Sequence, residues 1–373
     1  MNFTRYLFDY IKHDLSSKMV LIGGPRQVGK TTLSKKYLKS REQYLSWDDL
    51  SDRQIIKSHK VNPELKIVVF DEIHKYARWR SLIKAAFDKF GDTLSIIVTG
   101  SARLDHFRKG GDSLVGRYHY YRLHPFSLAE VDKKFQRAST LSLLSFGGFP
   151  EPFTKKNVKD LRRWQRERLS RVIYQDISDL GNVKELSLIE LLVDALPSKV
   201  GSILSKKSLS EDLEVSPNTV TKWLQILELV YYSYSILPYG PPKIRAVKKS
   251  QKLYLWDWSL VESEGARFEN LVAGQLLKYC HFIEDTEGHK MELRFIRDTD
   301  LREIDFVIIK DKKPLFAVEC KSGESNISKH IYYYRERTNI PKFYQVHLGK
   351  SVYVDGNIHL LPFERFCELE SLP

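Results

Sequence analysis

Met19-Val-Leu-Ile22 is a short apolar run that stops at Gly23-Gly24, and the residues after it are Gly24-Pro-Arg-Gln-Val-Gly-Lys-Thr31. A run of this kind reads as a fully buried parallel strand. The glycine spacing is that of a phosphate-binding loop, set between a strand and a helix. Gly24, Pro25, Arg26, Gln27, Val28 and Gly29 form the loop, whose backbone N–H groups close around phosphates while the following helix offers its positive N-terminus. Lys30 is expected to reach the outer phosphates of ATP. The Thr31 hydroxyl is expected to take a place on Mg²⁺, and Thr32 completes the nucleotide-binding set.

A second apolar strand, Leu65-Lys-Ile-Val-Val-Phe70, runs into Asp71-Glu72. Buried strands rarely end in two carboxylates without a compensating task, because unpaired buried charge is costly. Asp71 is expected to hold the metal, and Glu72 to orient or deprotonate the attacking water. A third strand, Leu94 to Val98, ends in Thr99-Gly100-Ser101, small polar residues placed to sense a γ-phosphate, with Ser101 a binding candidate. Tyr44 to Trp47 reads as a further strand ending at Asp48-Asp49. Among Arg103, Arg108 and Arg117, the last is the choice for an arginine finger, in its own subunit or across an oligomer interface. Strands alternating with helices imply an α/β fold with a parallel sheet covered on both faces.

The chain is 373 residues long, too long for one core, so two or three domains are expected. No stretch reaches the roughly 18 uninterrupted apolar residues of a membrane span, and no secretory signal is legible. The three cysteines, Cys280, Cys320 and Cys367, are not spaced as metal ligands, which suits a reducing cytoplasm. The net charge of +13 favours polyanions, nucleic acid or an acidic membrane face. It is concentrated: Lys155, Lys156, Lys159, Arg162, Arg163, Arg166, Arg168 and Arg171 face only Asp160 and Glu167 in that segment. A solvated helix face and a polyanion contact remain equal readings of it.

Gly147-Gly-Phe-Pro-Glu-Pro152 reads as a break. From Lys207 a short helix, a turn at Glu214 to Pro217 and a second helix from Thr219 to Val230, capped by Asn218, precede an alternating strand, Tyr231 to Leu237. Two helices and a β-ribbon describe a winged helix-turn-helix, with Lys243, Arg245, Lys248, Lys249 and Lys252 trailing the wing. DNA contact and a protein-contact role are both open. In the last third, Arg302-Glu-Ile-Asp305 opens one strand and Pro314 to Lys321 forms the next. Alternation puts Glu319 and Lys321 on one face. Asp305, Glu319 and Lys321 are a tool for phosphodiester hydrolysis, with Asp305 and Glu319 as candidate metal ligands and Glu269 a further carboxylate. An exposed edge of alternating charges is the competing reading, weakened by the core-like Val307, Ile309, Leu315, Ala317 and Val318.

With these residues named, nearly the whole chain resembles a bacterial and archaeal family that pairs an AAA-type ATPase domain with a DUF4143 domain. Beyond the loop, the resemblance rests on Val69-Phe-Asp-Glu-Ile-His74, Thr99-Gly-Ser101 and Gly147-Gly-Phe-Pro-Glu151. It continues through Tyr174-Gln-Asp-Ile177, Phe268-Glu-Asn270, Glu303-Ile-Asp-Phe306 and Val318-Glu-Cys-Lys321. It implies a P-loop domain (1–146), a helical linker (147–200), a winged helix-turn-helix (201–250) and a restriction-endonuclease-like α/β domain (251–373), the last three together forming the DUF4143-like region. Cys320 stands where the family usually has an aliphatic residue. The expectation is an ATP- and Mg²⁺-dependent ATPase coupled to DNA binding or cleavage, with a homo-oligomer possible and no membrane partner. A nucleotide-dependent switch with a silent, protein-binding C-terminal fold is the alternative, and a transcriptional regulator using only the winged helix is a third reading.

Overall fold

The computed structural model describes residues 3–58, 61–100, 104, 114–178, 185–240 and 250–373. The chain forms two compact units, residues 1–124 with 229–231, and residues 125–228 with 232–373. The first unit therefore ends at His124 and not at 146. Helix Arg137–Phe146 packs on helix Glu264–Glu287, deep within the second unit.

In the first unit five strands pair in parallel in the order β2-β3-β4-β1-β5. They are β1 (Met19–Gly23), β2 (Tyr44–Ser46), β3 (Ile67–Asp71), β4 (Ser95–Thr99) and β5 (Tyr118–Arg122). Every residue of β1 is buried, as expected for a parallel strand covered on both faces. Helix α1 (Phe8–Asp14) packs on β1. Helix α2 (Lys30–Lys35) follows the glycine loop, and α3 (Leu50–Lys57) is capped by Asp49, which accepts from the Ser51 and Asp52 amides. Helix α4 (Trp79–Phe90) buries Trp79, Leu82, Ile83 and Ala86, the i, i+3, i+4, i+7 stripe of a helix lying on a sheet. The chain leaves β1 toward β2 and leaves β4, its neighbour, toward β5 on the other side. Adjacent strands whose connections diverge open a crevice at their carboxyl ends, where ligands of open α/β sheets bind.

The second unit is built on an eight-stranded mixed sheet in the order β12-β13-β11-β10-β9-β8-β6-β7. Its strands are β6 (Ser233–Pro238), β7 (Lys252–Leu255), β8 (Met291–Arg297), β9 (Glu303–Lys310), β10 (Lys313–Lys321), β11 (Phe343–His347), β12 (Tyr353–Asp355) and β13 (Ile358–Pro362). The β9–β10 hairpin turns through Asp311 and Lys312, both at positive φ, in keeping with a tight two-residue connection. Helices Lys206–Asp212 and Pro217–Leu229 stand where the sequence places them. Ser216 and not Asn218 caps the second, since its hydroxyl accepts from the Thr219 amide and Pro217 takes the first helical position. The ribbon β6–β7 is not free-standing: β6 also pairs in parallel with β8, so both strands are the edge of the large sheet. A boundary at 250 would cut that hairpin in two. Helix Glu264–Glu287 holds Gly265 inside its first turn and carries Glu269. No helix among the described residues is long and apolar enough to cross a membrane.

Candidate functional site

Gly23, at the end of β1, leads into a loop in which Gly24 (φ 139°), Gln27 (φ 65°) and Gly29 (φ 101°) turn the backbone left-handed. A Cβ at Gly24 would lie 2.4 Å from the Leu123 carbonyl oxygen, so only glycine fits there. The amides of Gln27, Val28, Gly29, Thr31 and Thr32 donate to no group among the described residues. Lys30 is buried, and its ammonium donates to the carbonyls of Gly24 (2.9 Å) and Pro25 (2.8 Å).

Asp71, buried at the end of β3, gathers three hydroxyls. Thr31 Oγ1 donates to its Oδ2 at 2.9 Å, Tyr44 donates to the same oxygen, and Thr99 donates to Oδ1. A Thr31 hydroxyl whose proton points at Asp71 keeps its lone pairs for a cation, so the donor set fits Mg²⁺ held by Thr31 and supported by Asp71. Glu72 follows at φ 53°, its amide bonded to the Thr99 carbonyl. Burial pushes the Glu72 carboxyl above its usual range, aided by the charge of Asp71 and opposed by Lys30 and Lys75. One Glu72 oxygen is buried without a hydrogen bond, and His74 Nε2 stands 3.5 Å from it. A carboxylate so placed beside a phosphate loop is equipped to take a proton from water.

A second cluster lies on β7, β9, β10 and helix Glu264–Glu287. Lys252, at the start of β7, is 1% exposed, and its ammonium lies 2.5 Å from Glu303 Oε1 and 3.3 Å from both Glu269 Oε1 and Asp305 Oδ1. Tyr254 donates to Glu269 Oε1 at 2.7 Å, and the Cys320 amide donates to Asp305 Oδ2 at 2.9 Å. Arg297 holds the other Glu303 oxygen at 2.7 Å, and Lys321 donates to Glu319 Oε1 at 2.8 Å. Asn270, one residue beyond Glu269, bonds both the amide and the carbonyl of Leu255 and so fixes β7 against the helix. Burial pushes the Glu319 carboxyl up to about 8 and that of Glu269 up to about 7, each raised further by the charge of Asp305 and opposed by a neighbouring lysine.

Residues 16–132 match the model of an AAA domain, 137–266 that of a domain of unknown function, DUF8612, and 264–366 that of another, DUF4143. The chain joins an AAA domain to a DUF4143 domain. The DUF4143 match begins at 264 and not at 147, with DUF8612 occupying the span between. An uncharacterized protein of Methanocaldococcus jannaschii is 23% identical over 96% of this chain and 86% of its own length. One of Haemophilus influenzae is 23% identical over 83% of this chain and 84% of its own. Among solved structures, a STAND protein with a tetratricopeptide repeat sensor from Pyrococcus horikoshii matches at 11% identity with a TM-score of 0.22, covering 73% of this chain and 47% of that one.

Within the AAA domain the structure brings together Gly24, Lys30, Thr31, Asp71 and Glu72. Tyr44 was not foreseen; its place at the head of β2, one strand from β3, is the signal that could have found it. Ser101, Arg103 and Arg108 lie outside the described residues. Arg117 is not brought to the loop in its own chain. Its carbonyl accepts from Met19 at the opposite end of β1, about 13 Å of strand from Gly23. Its guanidinium is bound to Asp88 of α4 at 2.6 Å. In the DUF4143 domain Asp305, Glu319, Lys321 and Glu269 do converge. Each Asp305 oxygen accepts one hydrogen bond, from Lys252 and from a backbone amide, and no three acidic, histidine or cysteine side chains among the described residues are arranged to hold a metal. Lys252 is corrected: it is the buried partner of these acids, not a basic residue of an exposed wing. Lys243, Arg245, Lys248 and Lys249 lie outside the described residues.

Proposed function

We propose that the protein binds ATP with Mg²⁺ at the Gly24–Thr32 loop and hydrolyses it. The observation that carries this reading is the meeting of Thr31, Asp71 and Thr99 at the carboxyl ends of β1, β3 and β4, with a Glu72 oxygen buried beside them that accepts no hydrogen bond. Lys30 exchanges its bonds to the Gly24 and Pro25 carbonyls for the outer phosphates. Glu72 orients the attacking water and accepts its proton, and Thr99, through Asp71, ties the state of the phosphates to β4. Mg²⁺ supplies neutralisation of the phosphate charge when bound. Equilibrium binding of a fluorescent ATP analogue tests the site. Wild type binds and Lys30→Ala does not; equal binding by both would remove the loop from the account.

The same proposal includes DNA as partner of the second unit. Helix Val158–Arg171 exposes Lys159, Arg162, Arg163, Arg166 and Arg171, and none of these forms an ion pair among the described residues. Arg168 is the exception, buried over the Phe149 ring at 4.3 Å. Helix Pro217–Leu229, read as the second helix of a winged helix-turn-helix, adds exposed Asn218, Lys222 and Gln225. Filter binding to duplex DNA at two salt concentrations, with and without ATP, checks this. Affinity falling steeply with salt supports it, and absence of binding at low salt removes it. The closed acid cluster favours a second reading, in which the nuclease-like fold is a protein-binding platform switched by nucleotide. ATP-dependent binding of a protein, with none of DNA, would select it.

A further inference from the structure

Asp305 and Glu319-x-Lys321 form a pattern that elsewhere gathers a divalent ion, and here they converge around a side chain from another part of the chain. Lysine is almost never fully buried unless its charge is met, yet Lys252 is 1% exposed with three carboxylates around its ammonium. Oxygens open to a metal are scarce. Glu303 gives one to Lys252 and one to Arg297, and Asp305 gives one to Lys252 and one to the Cys320 amide. Glu269 Oε1 already receives both Lys252 and Tyr254, and Glu319 Oε1 receives Lys321. Three cations, Lys252, Lys321 and Arg297, stand against these four carboxylates, so the cluster lies close to neutrality with no further ion. Mg²⁺ requires an octahedron of oxygens at about 2.0–2.1 Å, and an ion on Asp305 Oδ1 would stand within roughly 6 Å of the Lys252 ammonium.

We infer that Lys252 is the resident cation of this cluster, occupying the place a divalent ion would take, so that the second unit binds no metal there and cuts no phosphodiester bond. One ammonium thereby ties β7 to β9 and to helix Glu264–Glu287, which a soluble ion could leave and a lysine cannot. The residue comes from the DUF8612 match, whereas the acids come from the DUF4143 match, so the DUF4143 motif alone gives no sign of it. The inference concerns a site separate from the ATP loop and stands whether or not ATP is hydrolysed.

Mn²⁺ binding to the nucleotide-free full chain, followed by electron paramagnetic resonance, tests it. Wild type and Asp305→Asn are expected to give the same titration, with no Asp305-dependent ion up to millimolar Mn²⁺. Lys252→Ala is expected to gain a bound Mn²⁺ that the added Asp305→Asn change removes. An Asp305-dependent ion in the wild type would overturn the inference, as would a folded Lys252→Ala protein that gains none. Should Lys252→Ala fail to fold, the wild-type protein still decides. Its thermal unfolding is expected not to shift with Mn²⁺, and an upward shift lost in Asp305→Asn would overturn the proposal.

Discussion

Replacing Lys252 by methionine keeps most of the aliphatic stem and removes one positive charge from among Glu269, Glu303 and Asp305. These acids are 18%, 19% and 13% exposed, so water screens little of what is lost. Breaking a buried ion pair by removing one partner costs about 3–5 kcal/mol, because it strands the other charge. Here the stranded charge is shared by three carboxylates, of which Glu269 already has its carboxyl raised to about 7. Protonation of one of them offers partial relief, so the cost grows with pH. For a unit of some 250 residues, each kcal/mol moves the midpoint by about 2–4 °C, which gives a fall of roughly 6–20 °C. Calorimetry of the full chain at neutral pH, compared with urea unfolding followed by tryptophan fluorescence, reads this directly. In an Asp305→Asn background the same substitution should cost measurably less, since one partner of the lysine is already neutral. A loss below about 1 kcal/mol, or an equal loss in both backgrounds, would refute the reasoning.

The raised carboxyls give the second unit a pH dependence of definite sign. Glu319 has a folded value of about 8 against an ordinary 4.5, so the folded state holds the proton more tightly, and stability falls as pH rises between the two. The slope is at most about 1.4 kcal/mol per pH unit for one group, and Glu319→Gln should flatten it in a series of melts. Glu72→Gln should keep ATP affinity while slowing hydrolysis by about 10²–10⁴-fold, the usual contribution of a positioned base, as read by single-turnover kinetics. Changing Arg162, Arg163 and Arg166 together to alanine should weaken DNA binding and reduce the salt slope by up to about 3. An unchanged slope would take this helix off the DNA.

The AAA domain was legible because its chemistry is local in the chain. Gly24 to Thr31 and Asp71-Glu72 each sit at the end of an apolar run, and the parallel sheet needs only those runs in that order. Arg117 shows where this fails. A single arginine after a strand carries no information about which end of the sheet it will occupy, and pairing of Met19 with Tyr118 places it at the end away from the glycine loop of its own chain. In the second unit the alternation of β10 correctly put Glu319 beside Lys321. Lys252 was unreadable for a different reason. It follows Lys248 and Lys249 in the chain, and nothing in that basic surrounding says that this one side chain turns inward onto acids 17 to 53 residues away. The strand β6 was read as part of a wing, but its pairing with β7 across the 250 boundary and its merger with β8 depend on non-local pairings that no short-range pattern encodes.

The central claim is that Thr31, Asp71 and Glu72 form a working ATPase site. Phosphate release from ATP by the full chain with Mg²⁺, beside Glu72→Gln at matched ATP occupancy, tests it most directly. The account predicts turnover by the wild type that is lost in Glu72→Gln while bound nucleotide is retained. Equal turnover by the two proteins, or none by a wild type that binds ATP, would contradict it.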